Sequence, residues 1–181
     1  MKGTKVILIS GKAESGKDFV GEVIKQELEH QHKKVLVVHF ADYLKFMCRQ
    51  YFGWNGNKDE AGRTLMQYVG TGLFRKFDED YFAKRIYELL SVAGANWDYV
   101  IIPDLRFKNE FQLIKNSFDA VAIRVNRTGY ESSLTPEQKS NQSETELDNH
   151  LSIFNYFIDT NDAGEKIEQT KRIAEELLNG N

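Results

Sequence analysis

Short apolar runs alternate with longer amphipathic stretches along this chain. Val6-Ile7-Leu8-Ile9 is brief, rich in β-branched residues and followed at once by Ser10 and Gly11, the form of a strand covered on both faces. Val35-Leu36-Val37-Val38 repeats the signal, and Tyr99-Val100-Ile101-Ile102 repeats it again before Pro103 and Asp104. Runs without polar alternation suit interior parallel strands better than half-wet hairpins. Ala120 to Val125 and Tyr156 to Ile158 predict two more strands. Between them, apolar residues recur at three- and four-residue spacing, the period of an α-helix with one buried face. A helix opening near Gly16 should bury Phe19, Val20, Val23, Ile24 and Leu28. Further helices are predicted over Ala41 to Tyr51, Ala61 to Val69, Glu79 to Leu90, Phe107 to Asn116 and Ala163 to Leu178. Phe82, Ile86, Leu89 and Leu90 form the stripe of the third of these, and Gly180 follows the last.

The order is βαβ, then a helical stretch, then βαβ, which predicts an α/β fold of three layers around a largely parallel sheet with helices on both faces. Residues 1–181 are read as one domain. The helical stretch, about 41–95, is an insertion suited to holding a second substrate. Residues 127–149 carry Gly129, Ser132, Ser133, Pro136, Ser140, Asn141 and Ser143 with few apolar anchors, and read either as a surface excursion or as a lid.

A net charge of −3 gives no whole-molecule attraction for polyanions, so an anionic ligand must be held by local cations and amides. Nucleic acid is therefore not an expected partner. The apolar run before Ser10 is too short for a signal-peptide core or a membrane span, and a cytoplasmic location is the expectation. Cys48 stands alone and is expected to be a packed thiol beside Phe46, Met47 and Phe52. A homodimer is compatible with the sequence and not specified by it.

The chemistry concentrates in Gly11-Lys12-Ala13-Glu14-Ser15-Gly16-Lys17-Asp18, between the first strand and the first helix. Glycines at both ends of such a loop let backbone amides turn inward on a phosphate chain, and Lys17 can reach its outer oxygens. The last position is Asp18 where a hydroxyl residue is usual. Unit charges of like sign 4 Å apart repel by roughly 4 kcal/mol at an effective dielectric of 20, so Asp18 calls for a cation between it and the phosphates. Mg²⁺ held by Asp18, directly or through water, is the expected answer, with favourable placement at a helix N-terminus as the plainer alternative. Asp104, at the end of the third strand, is a second candidate for Mg²⁺, and Arg106 a candidate phosphate ligand. Arg63, Arg75, Lys76 and Arg127 are further cations. No His-Glu-x-x-His array or Ser–His–acid triad is present. The inventory is that of phosphoryl transfer, which asks for positioning and charge neutralisation more than for a covalent nucleophile.

Taken together, these segments resemble the deoxynucleoside monophosphate kinases of bacteriophages and bacteria, P-loop enzymes of the nucleoside monophosphate kinase type. The resemblance runs through Gly11 to Asp18, Phe40 to Lys45, Gly62 to Thr71, Arg75, Asp80, Asp104 to Glu110, Ser143-Glu144 with Leu147-Asp148, and Asn161 to Gly164. It implies transfer of the γ-phosphoryl of ATP, with Mg²⁺, to a deoxynucleoside monophosphate. Asp42, Arg63, Gln67, Arg75 and Arg106 would face that acceptor, with Lys17, Arg75, Arg106, Arg127 and Asp104 as the catalytic set. Arg127 would ride on the lid, and Asn161 and Gly164 would lie near the donor base. Tyr43, Phe19 and Tyr81-Phe82 depart from that family's usual residues and leave base and sugar selectivity open. Animal-type phosphomevalonate kinases share Gly16-Lys17-Asp18-Phe19-Val20 and the late Ser-Glu and Leu-Asp pairs, and form the alternative. A non-catalytic ATP-binding module is the alternative outside enzymes. On the middle motifs, around Gly70-Thr71, Arg75 and Arg106 to Glu110, the expectation is the nucleotide acceptor.

Overall fold

A computed structural model describes residues 3–180. Strand β1 (Lys5–Ser10) leads into α1 (Lys17–His30), β2 (Val35–Val37), α2 (Ala41–Tyr51) and α3 (Glu60–Gln67). A π-helical stretch, Tyr68–Phe74, continues into the short α4 (Arg75–Phe77) and then α5 (Tyr81–Ala93). Next come β3 (Tyr99–Leu105), α6 (Lys108–Ser117) and β4 (Asp119–Asn126), the short helices α7 (Pro136–Lys139) and α8 (Gln142–Thr145), β5 (Tyr156–Asp159) and α9 (Ala163–Leu178). The strands form one sheet in the order β2-β3-β1-β4-β5, and every pairing is parallel.

Alternation along the strands sends side chains to two separate cores. Ile7, Ile9, Ile101, Ile123 and Val125 meet Val20, Ile24 and Leu28 of α1 and Ile173 and Leu177 of α9. Val6, Leu8, Val100, Ile102 and Ala122 face the other way, against Ala83, Ile86 and Leu90 of α5 and Ile114 of α6. Three central strands buried on both faces explain why their sequences show no polar alternation. The sheet is therefore the parallel sheet with helices on both faces that the sequence predicts.

Four expectations need correction. The β2 run is as apolar as the others, yet β2 is an edge strand and Val37 is exposed. Phe19 and Leu89 face outward on α1 and α5, because those helix stripes are narrower than the apolar spacing suggests. Strand β3 does not stop before Pro103 but continues to Leu105. Its pairing with β1 steps from Leu8–Ile102 to Ser10–Leu105, so Pro103 and Asp104 form a bulge where a missing N–H breaks no regular rung. The helix expected to end at Val69 instead turns π-helical from Tyr68 to Phe74, placing Gly70 against Leu44. A Cβ at Gly70 would come within 2.9 Å of the Leu44 Cδ2, so a larger residue there would push the end of the Leu44 side chain aside.

The insertion has a small core of its own. Cys48, Trp54 and Val69 are buried there, with Leu44, Leu65, Met66 and Phe74 packed around them. Cys48 is the packed thiol expected, and burial raises its pKa, although Phe46 and Phe52 are exposed and take no part.

Candidate functional site

The loop after β1 is wrapped, as its glycines require. A Cβ on Gly11 would lie 2.7 Å from the Val125 carbonyl oxygen, which excludes any larger residue without displacing β4. Gly16 and Glu14 have φ of 91° and 65°, the left-handed turns that bend successive amides to one side. No side chain caps α1, so its first-turn amides remain available to a ligand. From behind, Lys166 of α9 donates from Nζ to the Ser15 carbonyl at 3.0 Å and fixes the loop's far side.

Two groups inside the loop are short of partners. Ser15 Oγ is buried with none, and Lys17 Nζ, on a side chain with little exposure, reaches only the Lys12 carbonyl at 3.4 Å. Desolvation first, and the Arg106 charge second, lower the Lys17 pKa to about 8, against the opposing pull of Asp18, Glu144 and Asp104. An ammonium held under these conditions is short of negative charge, which a polyphosphate supplies.

The loop opens on a cleft of about 510 Å³ whose other walls come from α2, α3, the π-helical stretch and the start of α6. Arg63, Gln67, Arg75, Arg106, Asp18 and Asp104 all line it, so most of the residues singled out in the sequence converge here. Asp42 does not: in the first turn of α2 it accepts from the His39 amide at 3.0 Å and pairs with Lys45 at 3.1 Å. Arg127 also lies outside the lining, stacked 3.7 Å over the Tyr130 ring and donating from Nε to Asn161 Oδ1 at 2.9 Å. Asn161 sits with it, and neither Asn161 nor Gly164 lines the cleft.

Within the cleft the arginines are already engaged. Arg75 donates to Glu110 Oε1 at 2.5 Å, to the Glu79 carbonyl at 3.0 Å, and lies 3.7 Å over the Phe107 ring. Glu110 also accepts from the Arg106 and Phe107 amides at 2.9 and 3.1 Å, while complete burial pushes its carboxyl up to about 7. This pair fixes the β3–α6 turn that carries Arg106. Arg63 donates to Glu14 at 3.3 Å and to Ser133 Oγ at 3.1 Å, and Gln67 to the Gln138 carbonyl at 3.2 Å. Arg106 pairs with Glu144 and donates to the Ser143 carbonyl at 2.9 Å.

Glu144 was present in the sequence only as part of a motif without a role. Its signal was an acidic residue in a polar segment otherwise read as loop. Lys45, named only as the end of a motif, and Lys58, outside every motif, also line the cleft. Lys166 was hidden inside an ordinary amphipathic helix.

Asp104 places its two oxygens 2.9 and 3.0 Å from the Phe40 and Ala41 amides, where it holds the start of α2. Among the described residues no group of three or more His, Cys, Asp or Glu gathers as a metal cage. Mg²⁺ in phosphoryl-transfer sites needs only one or two carboxylates beside phosphates and waters. Asp18, exposed at the cleft next to Lys17, fits that donor set, and Asp104 keeps lone pairs for a water-mediated contact.

The family model for phosphomevalonate kinase matches residues 9–120 of this sequence. The chain belongs to the phosphomevalonate kinase family. That match overturns the deoxynucleoside monophosphate kinase assignment, and the reason is local. Gly70-Thr71, Arg75 and Arg106 to Glu110, which had favoured the nucleotide acceptor, all lie inside the stretch that the phosphomevalonate kinase model matches. They line a cationic cleft and do not distinguish the two families. No curated protein matches the sequence.

Solved structures resemble the fold at low identity. Dephospho-CoA kinase from Campylobacter jejuni superposes with a TM-score of 0.55 at 12% identity, covering 98% of each chain. Shikimate kinase from Aquifex aeolicus vf5 gives 0.52 at 14%, covering 97% of each. Shikimate kinase from Acinetobacter baumannii gives 0.51 at 10%, covering 99% of this chain and 95% of that one. These likenesses establish the P-loop kinase fold of this family member. No helix among the described residues is long and apolar enough to cross a membrane.

Proposed function

We propose that this chain transfers the γ-phosphoryl group of ATP to the phosphate of a phosphomevalonate-type acceptor, giving a diphosphate and ADP. The observation that carries the reading is continuity. The anion-binding loop opens directly on the cleft that holds Arg63, Arg75 and Arg106, all within the stretch matching the phosphomevalonate kinase family. Leu44, Met66, Phe82 and Phe107 give the same cleft an apolar wall for an acceptor's carbon skeleton.

An oxygen of the acceptor phosphate bonds to the γ-phosphorus as the bridge to the β-phosphate breaks, and ADP leaves with that electron pair. The attacking oxygen is already anionic at neutral pH, so alignment and charge neutralisation carry the rate. Lys17 and the loop amides hold the donor phosphates, and Arg106 and Arg63 turn to the acceptor. Mg²⁺, when bound at Asp18, neutralises charge on the donor oxygens. Segment 127–149 covers the cleft and keeps water from taking the phosphoryl group.

The test is ADP release from ATP with mevalonate 5-phosphate, shikimate, dephospho-CoA, adenylyl sulfate, a set of deoxynucleoside monophosphates, or no acceptor. Turnover that depends on mevalonate 5-phosphate is expected. Turnover with another acceptor, or none with any, would refute the assignment.

A further inference from the structure

The Ala13 amide, inside the phosphate loop, donates to a side chain of the same protein: Glu144 Oε2, at 2.9 Å. The other oxygen of that carboxylate, Oε1, contacts Arg106 Nη1, and the same Nη1 donates to the Ser143 carbonyl. Glu144 is thus an anion seated between a loop amide and a cleft guanidinium, with only 8% of its side chain exposed. The segment bearing it is tied down just beyond Glu144. Asp148 accepts from Lys12 Nζ at 2.8 Å and from Arg124 Nη2 at 2.6 Å, and Arg124 reaches back to Ser10 Oγ at 3.0 Å. Glu146 accepts from the Lys108 amide at 2.8 Å, tying the strap to α6.

One N–H cannot serve two anions in good geometry, and two anions at the same amide repel. A phosphate chain entering the loop therefore meets Glu144 in its place. We infer that Glu144 is an internal stand-in for phosphate: it occupies the Ala13 amide and neutralises Arg106 while the loop is without nucleotide, and ATP displaces it. Displacement frees Arg106 for the acceptor phosphate, so acceptor binding follows ATP binding. Asp148 and Glu146 keep the strap attached during the exchange, so Glu144 swings on α8 without the segment leaving. Glu144 acts through Arg106 and the loop, as a positioning residue. This inference rests on the loop being the ATP site, as in the reading above.

Glu144→Gln keeps the size of the side chain and removes its charge. Without acceptor and without Mg²⁺, calorimetric titration of the variant with ATP and with inorganic tripolyphosphate should give about tenfold tighter binding than wild type, within the usual span of site-to-site coupling. Unchanged or weaker binding would overturn the inference while leaving the ATP site standing. Wild-type protein that binds neither ligand would remove both. Should Glu144→Gln fail to fold, hydrogen exchange on the wild type decides the matter. Amides 142–145 should exchange severalfold faster with saturating ATP, and equal or slower exchange counts against displacement. In steady state with ATP held well below its own KM, the variant should lower the apparent KM for mevalonate 5-phosphate, because Arg106 is free before ATP arrives, and at saturating ATP the two proteins should converge; an apparent KM unmoved at low ATP would argue for a purely structural contact.

Discussion

Lys17 shows at the scale of one residue how a site can work against the fold that holds it. Its ammonium is buried, and its pKa falls from 10.5 to about 8. Between those values the unfolded chain binds a proton that the folded chain has released, so stability rises with pH across that window and the cost is fully present below it. At about 1.4 kcal/mol per pKa unit, the ligand-free protein carries a penalty on the order of 3 kcal/mol at neutral pH. Lys17→Met keeps the stem and deletes the charge. Thermal denaturation should show its Tm roughly 6–12 °C above wild type, and ATP should stabilise only the wild type. A variant that melts at or below the wild type would mean that Lys17 is satisfied by partners other than phosphate.

At the scale of elements, the phosphate loop and the segment after β4 hold each other through Glu14. Its carboxylate accepts from the Ser133 hydroxyl at 2.6 Å, the Ser133 amide at 3.0 Å and Tyr130 Oη at 2.9 Å, with Arg63 at 3.3 Å. These bonds, Ser133 foremost, hold its pKa down to about 2 from 4.5. A depressed carboxyl stabilises the contact above its unfolded pKa and loses it as pH falls through the folded one, here between 4.5 and about 2. Glu14→Ala should therefore raise exchange of the Ser133 amide by about tenfold at neutral pH with little change in the sheet, read by hydrogen exchange. Equal exchange in both proteins would show that 130–134 is held by something else. The partners are 119 residues apart in sequence, which is why the sequence left 127–149 balanced between excursion and lid. What was legible had local causes: strands with continuous apolar runs, the bounds of α9, the glycines of the phosphate loop. What was not legible depended on distant partners. β2 looks like an interior strand because an edge strand against covering helices needs the same residues. Arg75 and Arg106 look alike as cleft cations, and only the fold shows that one is fastened to the buried Glu110 and the other to Glu144 of the segment after β4.

For the whole molecule, the separation of cores sets how it comes apart. The sheet packs against α1 and α9 on one face and α5 and α6 on the other, whereas the insertion relies on the small cluster around Cys48, Trp54 and Val69. A small cluster with exposed neighbours such as Tyr68 and Phe77 opens at lower free energy than a double-faced sheet. That ordering also suits the proposed function, in which this insertion forms the acceptor side of the cleft and admits a ligand. The chain's two tryptophans report the two regions separately: Trp54 is buried in the insertion cluster, and Trp97 packs against the sheet core. In Trp97→Phe, the fluorescence of Trp54 should change at lower urea than the far-UV circular dichroism of the same sample. In Trp54→Phe, the fluorescence of Trp97 should follow the circular dichroism. Comparing two probes within each variant removes the effect of the substitution on stability itself. Coincident curves in both variants would mean that the insertion and the sheet unfold as one unit, and opening of the cleft would then have to come from segment 127–149 alone.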